Sequence, residues 1–101
     1  MKVIVDLTIV PIGVGVSISR YVAACQRVLE EAGLTMQLHA NGTNIEGEWD
    51  EVFAAIQRCH EVLHDMGVPR ISTVIKAGTR VDREQSMDDK LRSVQAKLSE
   101  E

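Results

Sequence analysis

The chain has 101 residues, a formal charge of −4 and only three aromatic side chains; nucleic-acid binders need a basic footprint and stacking platforms, so that class is excluded and a neutral or cationic small ligand suits the balance better. A single domain over residues 1–101 of this length buries only roughly 60–65% of the surface its unfolded form exposes, so subunit contacts are a natural supplement to its stability. The run after Lys2 is broken by Asp6 and Thr8, and no apolar stretch approaches the about 20 residues that a bilayer requires, so the expectation is a soluble cytoplasmic protein without a signal peptide or membrane partner.

Residues 2–10 alternate imperfectly. Val3, Val5, Leu7 and Ile9 share one face, and Ile4, Asp6, Thr8 and Val10 share the other. This predicts a central strand, one face apolar against helices and one mixed, ended by Pro11, which cannot donate to the ladder. Gly13 and Gly15 then make a turn, with Ser17 or Ser19 as the cap of the next helix. That helix is predicted over 18–32 from the three- and four-residue recurrence of Ile18, Tyr21, Val22, Cys25, Val28, Leu29 and Ala32, and Gly33 stops it as a C′ glycine.

Residues 34–41 and 43–47 read as a hairpin through Asn41-Gly42, a dipeptide tolerant of positive φ. Alternation sends Met36, Leu38 and Ala40 inward and Gln37, His39 and Asn41 outward. A second helix is predicted over 49–66, with Trp49, Val52, Phe53, Ile56, Cys59, His60 and Leu63 in one stripe and Gly67 closing it. Cys25 and Cys59, both on helical patterns, are expected to be reduced packing residues, because two cysteines alone make no zinc site and a reducing compartment disfavours a disulfide. The β-branched run 71–77 is a fourth strand, residues 78–85 a polar loop, and Ser86-Met87-Asp88-Asp89 an aspartate variant of the capping box. It opens a third helix with Met87, Leu91, Val94 and Leu98 in a narrow stripe.

The order β-α-β-β-α-β plus a helix is that of an α+β, ferredoxin-like sandwich with an extra C-terminal helix. Right-handed crossovers place both crossover helices on one side of the sheet. The other side is open and carries Ile4, Asp6, Thr8 and Val10; Gln37, His39 and Asn41; Asn44 and Glu46; and Ser72, Val74 and Lys76. A solvated face is one reading of it. Ile4, Val10 and Val74 among paired polar groups favour an interface, with or without an enclosed ligand.

Together, Ile9-Val10-Pro11-Ile12-Gly13, Tyr21-Val22-Ala23-Ala24, Gly42-Thr43-Asn44-Ile45-Glu46-Gly47, Asp50-Glu51-Val52-Phe53 continuing to His60-Glu61, and Ile75-Lys76 with Arg80 and Asp82 resemble the small thiamine-binding protein family over nearly the whole chain. The resemblance implies a ferredoxin-like fold that associates into homotetramers and binds thiamine or its aminopyrimidine part without chemistry and without a cofactor. A cationic thiazolium and an aminopyrimidine edge match the polar residues available. Asp6 or Glu46 would balance the charge, Thr8, Thr43 or Asn44 would read the pyrimidine, and Asn41 and Lys76 complete the expected ligand-binding set, at a contact between subunits in a dimer or tetramer.

Other patterns were weighed against this. His60 and His64 stand one helical turn apart, a spacing able to hold a metal, but the wheel places His60 in the apolar stripe, as a hydrogen-bonded core histidine beside an exposed one. Gly13-Val14-Gly15 lacks the third glycine of a phosphate loop and reads as a plain turn. Arg80, Asp82, Arg83 and Lys90 read as solvated charge. A small-molecule enzyme using His39 with Asp6, or a metal at His60 and His64, is the catalytic alternative; a ligand-free assembly module is the third.

Overall fold

The computed structural model describes residues 1–100. Its elements are β1 (Lys2–Ile12), α1 (Ser19–Glu31), β2 (Thr35–His39), β3 (Gly42–Glu48), α2 (Trp49–Asp65), β4 (Arg70–Gly78) and α3 (Met87–Ser99). The sheet is antiparallel in the order β2-β3-β1-β4, which is the ferredoxin-like arrangement, extended by α3.

Alternation in β1 decides the layers. Val3, Val5 and Leu7 are buried beneath the two crossover helices, where they meet Tyr21, Cys25 and Leu29 of α1 and Val52, Ile56, Cys59 and Leu63 of α2 in one apolar cluster. Both helices recur at three- and four-residue steps, so each contributes a single stripe to this layer. Gly33, at φ +73°, ends α1 from the left-handed region that a side chain would disfavour. Cys25 and Cys59 are buried free thiols. The Cys59 thiol, hydrogen-bonded to Cys25 and buried, is held well above the ordinary thiol value, which keeps it protonated.

Three local expectations are corrected. Pro11 does not end β1: it pairs with Ile71 of β4, beyond the last β3 pair at Leu7 and Thr43, where one side of the strand has no neighbour and a missing N–H is tolerated. Neither Ser17 nor Ser19 caps α1, which starts from Ile18 with no side-chain cap. The hairpin turns through Ala40-Asn41, because His39 pairs with Gly42, and no residue of it has positive φ. Leu38 takes the expected helix side, in register with Thr43, but stays 57% exposed on an edge strand of five residues. Met36 alone of that strand packs against the core.

From Asp88 to Glu100 every residue of the last segment is exposed. The described chain has a radius of gyration of 15.3 Å and extents of 49 × 31 × 20 Å, against about 13 Å for a compact 100-residue domain. α3 projects from the body.

Candidate functional site

The capping box at the start of α3 forms as expected. Ser86 Oγ accepts from the Asp89 N–H at 3.0 Å, and Asp89 Oδ2 accepts from the Ser86 N–H at 3.0 Å; those bonds hold the Asp89 carboxyl below its ordinary value. The first turn also rests on the open sheet face, where the Met87 N–H donates to Glu46 Oε2 at 3.1 Å. A carboxylate beneath a helix N-terminus is favourable for the free N–H groups and the dipole together. Lys2 Nζ lies 3.9 Å from the same oxygen, and Glu46 is 9% exposed. Glu46, expected to face a ligand, is engaged by its own chain.

Asp6 sits one register step away, opposite Asn44 of β3 and Lys76 of β4. Its Oδ1 accepts from His39 Nε2 at 2.8 Å and from Asn44 Nδ2 at 3.5 Å. Because His39 Nδ1 accepts from the Asn41 N–H at 3.3 Å, the ring proton is on Nε2 and points at Asp6. Both nitrogens of the imidazole are therefore occupied. Lys76, in register with Asp6, is exposed on the open face beside exposed Val74, and makes no ion pair among the described residues.

On the helix side lies a cavity of about 270 Å³. Its origin is in the strand lengths: β3 pairs with β1 only as far as Leu7, whereas β1 runs on to Ile12 beside β4. The space between the second half of β1 and the first half of α1 is left uncovered by the hairpin. Ile9, Tyr21, Cys25 and Leu29 make much of its wall. Its polar edge comes from the hairpin and from α1: Gln26 Nε2 donates to Thr43 Oγ1 at 2.9 Å, and Thr8 Oγ1 donates to the Asn41 carbonyl at 2.9 Å. His39 lines the mouth. Gly42 sits where nothing larger fits, since a Cβ there would meet the Leu7 carbonyl oxygen at 2.6 Å and Thr8 Oγ1 at 2.9 Å.

The structure thus divides the seven expected residues between two faces. Asp6, Asn44, Glu46 and Lys76 share the open face. Thr8 shares the open face, in register with Val74, and with Asn41 of the turn it borders the end of the cavity; Thr43 is buried on the helix side, in register with Leu7, and lines the cavity from within. Gln26 and Tyr21 belong to this second place and were absent from the expected set. Tyr21 was assigned to the apolar stripe of α1, and Gln26, next to Cys25 in the chain, lay outside that stripe; no pattern in the sequence separates a helix residue that packs from one that borders a hollow.

His60 Nε2 lies 2.6 Å from Thr73 Oγ1, and His64 Nδ1 donates to the Val68 carbonyl at 2.8 Å, which gives both histidines structural partners. No group of three His, Cys, Asp or Glu side chains able to hold a metal occurs among the described residues. Among the described residues no helix is long and apolar enough to cross a membrane. Arg80 is taken up within its own loop, donating to both oxygens of Asp82 at 2.6 and 2.8 Å and to Gln85 at 2.7 Å.

Comparison with known proteins places this geometry among relatives. The family described as Thiamine-binding protein matches residues 5–95. The UPF0045 protein sll0230 of Synechocystis sp. is 61% identical over 98 residues, covering 97% of this chain and 81% of that protein. Among solved structures, the hypothetical protein MJ1052 of Methanocaldococcus jannaschii superposes with a TM-score of 0.87 at 31% identity, over 93% of this chain and 96% of that one. A candidate thiamine biosynthesis or salvage protein of Thermotoga maritima shares the fold, with a TM-score of 0.80 at 15% identity over 93% and 99%.

Proposed function

The chain belongs to the thiamine-binding protein family, and on that premise we propose that it is a cytoplasmic protein that binds thiamine or a related aminopyrimidine, without turning it over, in the cavity between α1 and the β2–β3 hairpin. The observation that carries this reading is the cavity itself: apolar walls, one aromatic side chain and a short polar edge around one half-open hollow. At about 270 Å³ it lies just below the roughly 300–1,000 Å³ usual for ligand pockets, a size for one or two small rings.

Tyr21 offers a ring face for stacking, with Arg20 laid over the same ring at 4.8 Å from its centroid. The cationic thiazolium would lie toward the mouth, on the side of His39 and the Asp6 carboxylate behind it. Binding without chemistry is supported by the state of that histidine, whose two nitrogens are already committed. A general base needs a nitrogen free to take a proton from the ligand.

The open face carries the second half of the proposal, association with further copies of the chain as a dimer or tetramer. Val74 is 65% exposed, and Val10 and Ile12 are 40% exposed, beside Asn44 and Lys76. Such a mixture suits a subunit contact better than water.

Calorimetric titration with thiamine tests the reading. Saturable binding is expected, lost when Val22→Phe fills the cavity and kept in Lys76→Ala. A folded protein that gives no heat at millimolar thiamine would refute it. Loss in Lys76→Ala together with retention in Val22→Phe would move the ligand to the open face.

A further inference from the structure

We infer that Cys25 and Cys59 form a peroxide-reactive dithiol entered through the cavity, in which Cys25 is oxidised first and Cys59 closes a disulfide that ties α1 to α2. The inference uses the hollow as a path for a small oxidant and does not depend on which ligand, if any, fills it.

The chain has two cysteines, and the fold brings them together from 34 positions apart. Cys59 Sγ lies 3.8 Å from the Cys25 carbonyl oxygen and within hydrogen-bond reach of the Cys25 sulfur, so its single proton can be given to either. Helices packed about 8–10 Å apart bring facing Cα atoms to roughly 4–6 Å, which overlaps the usual span of a disulfide. The two sulfurs differ in access. Cys25 lines the cavity beside Tyr21 and Leu29, a half-open hollow of about 270 Å³ against roughly 30 Å³ for one water, so a peroxide enters it easily. Cys59 is fully enclosed in the core behind that wall. The same bond that keeps Cys59 protonated holds the Cys25 thiol below its ordinary value, against the opposing effect of burial.

The order of events follows from that asymmetry, since the thiolate is the nucleophile and must meet the oxidant. The Cys25 thiolate attacks one oxygen of hydrogen peroxide and the O–O bond breaks. Its sulfur is oxidised to the sulfenic acid, and the departing hydroxide takes up the proton that Cys25 gave up and leaves as water. A sulfenic acid next to a thiol condenses to a disulfide. The Cys59 sulfur attacks the Cys25 sulfur, the S–O bond breaks, and the Cys59 proton leaves with the hydroxyl as a second water. Two thiols and one peroxide thus give one disulfide and two waters. In a reducing compartment the pair rests as thiols, and a dithiol reductant returns it to that state by exchange.

The test is treatment of the full chain with hydrogen peroxide, followed by peptide mass mapping with and without dithiothreitol. A cross-link between the Cys25 and Cys59 peptides of one chain is expected, removed by the reductant. Dimedone, which traps sulfenic acids, is expected to label Cys25 before the cross-link appears and never Cys59. In Cys59→Ala the reaction is expected to stop at the dimedone-labelled Cys25, whereas Cys25→Ala leaves Cys59 unmodified. Val22→Phe, which fills the cavity, is expected to slow cross-linking several-fold with an unchanged circular dichroism spectrum, a result that oxidation through global unfolding would not produce. Wild type without the cross-link after free cysteine in the same tube is consumed, cross-links between chains in place of the internal one, Cys59 as the first residue labelled, or a folded Val22→Phe that reacts at the wild-type rate would each overturn the inference. Where a core variant does not fold, the order of labelling in wild type decides.

Discussion

Gly42 shows how much one residue fixes at the hairpin. Its backbone is an ordinary strand conformation, so the position is glycine for lack of room: a methyl group would press on the Leu7 carbonyl oxygen at 2.6 Å, and that oxygen belongs to the central strand and cannot yield. Gly42→Ala is expected to cost about 1–3 kcal/mol, the usual scale of overpacking, seen as a lower denaturation midpoint with unchanged slope; an unaltered midpoint would contradict the close approach. Leu29 and Leu63, fully buried on the facing helices, act in the opposite sense. Leu63→Ala removes packing that nothing replaces and is expected to cost about 2–5 kcal/mol in the same measurement; a loss below 1 kcal/mol would mean that the site collapses around the gap.

At the scale of the element, α3 is the instructive case. Its capping box was legible from Ser86 and Asp89, yet the helix barely touches the body, so its caps act on α3 alone. Ser86→Ala is expected to weaken the helix by about 1 kcal/mol, lowering the helical carbon shifts of residues 87–99 in NMR spectra while leaving the global unfolding midpoint unchanged; a fall in the global midpoint would show that α3 is part of the cooperative unit. The loop before it has its own pH signature. Hydrogen bonds from Arg80 hold the Asp82 carboxyl down to about 2, below the ordinary 3.8. A depressed carboxyl contributes stability above its unfolded value that is lost as pH falls through the folded one, so the loop is expected to hold its form down to about pH 2. Because both groups are exposed, the effect is local. In an NMR titration Asp82 should have its midpoint near 2, and near 3.8 in Arg80→Gln; equal midpoints in the two proteins would show that the guanidinium is not the cause.

At the scale of the whole molecule, the described residues present two apolar surfaces that no other element covers. One is the open sheet face with Val10, Ile12 and Val74; the other is the α3 stripe of Leu91, Val94 and Leu98, which are 49%, 58% and 64% exposed. A chain this short gains little from its own core alone, so self-association would add stability that depends on protein concentration. Val74→Asp, placing a charge in the middle of the open face, is expected to lower the sedimentation mass of the oligomer and remove the concentration dependence of its melting temperature. An unchanged mass would place the contact elsewhere.

Much of this architecture was readable from the chain because periodicity is a local property. Alternation in β1 placed Asp6 and Thr8 opposite Leu7, and the register then set Asp6 beside Asn44 and Lys76; the helical stripes of α1 and α2 gave the layer above. What the sequence by itself determined was therefore which face each residue takes. It did not determine that β1 outruns β3 by five residues, because strand ends are set by pairing with distant segments and Pro11 can be tolerated where a neighbour is missing. That mismatch opens the cavity beside which Gln26 meets Thr43 across 17 positions, and at the other end of β3 the first turn of α3 makes Glu46, a surface acid by alternation, its seat. Only the tertiary structure decided these, since each depends on where two elements stop relative to one another.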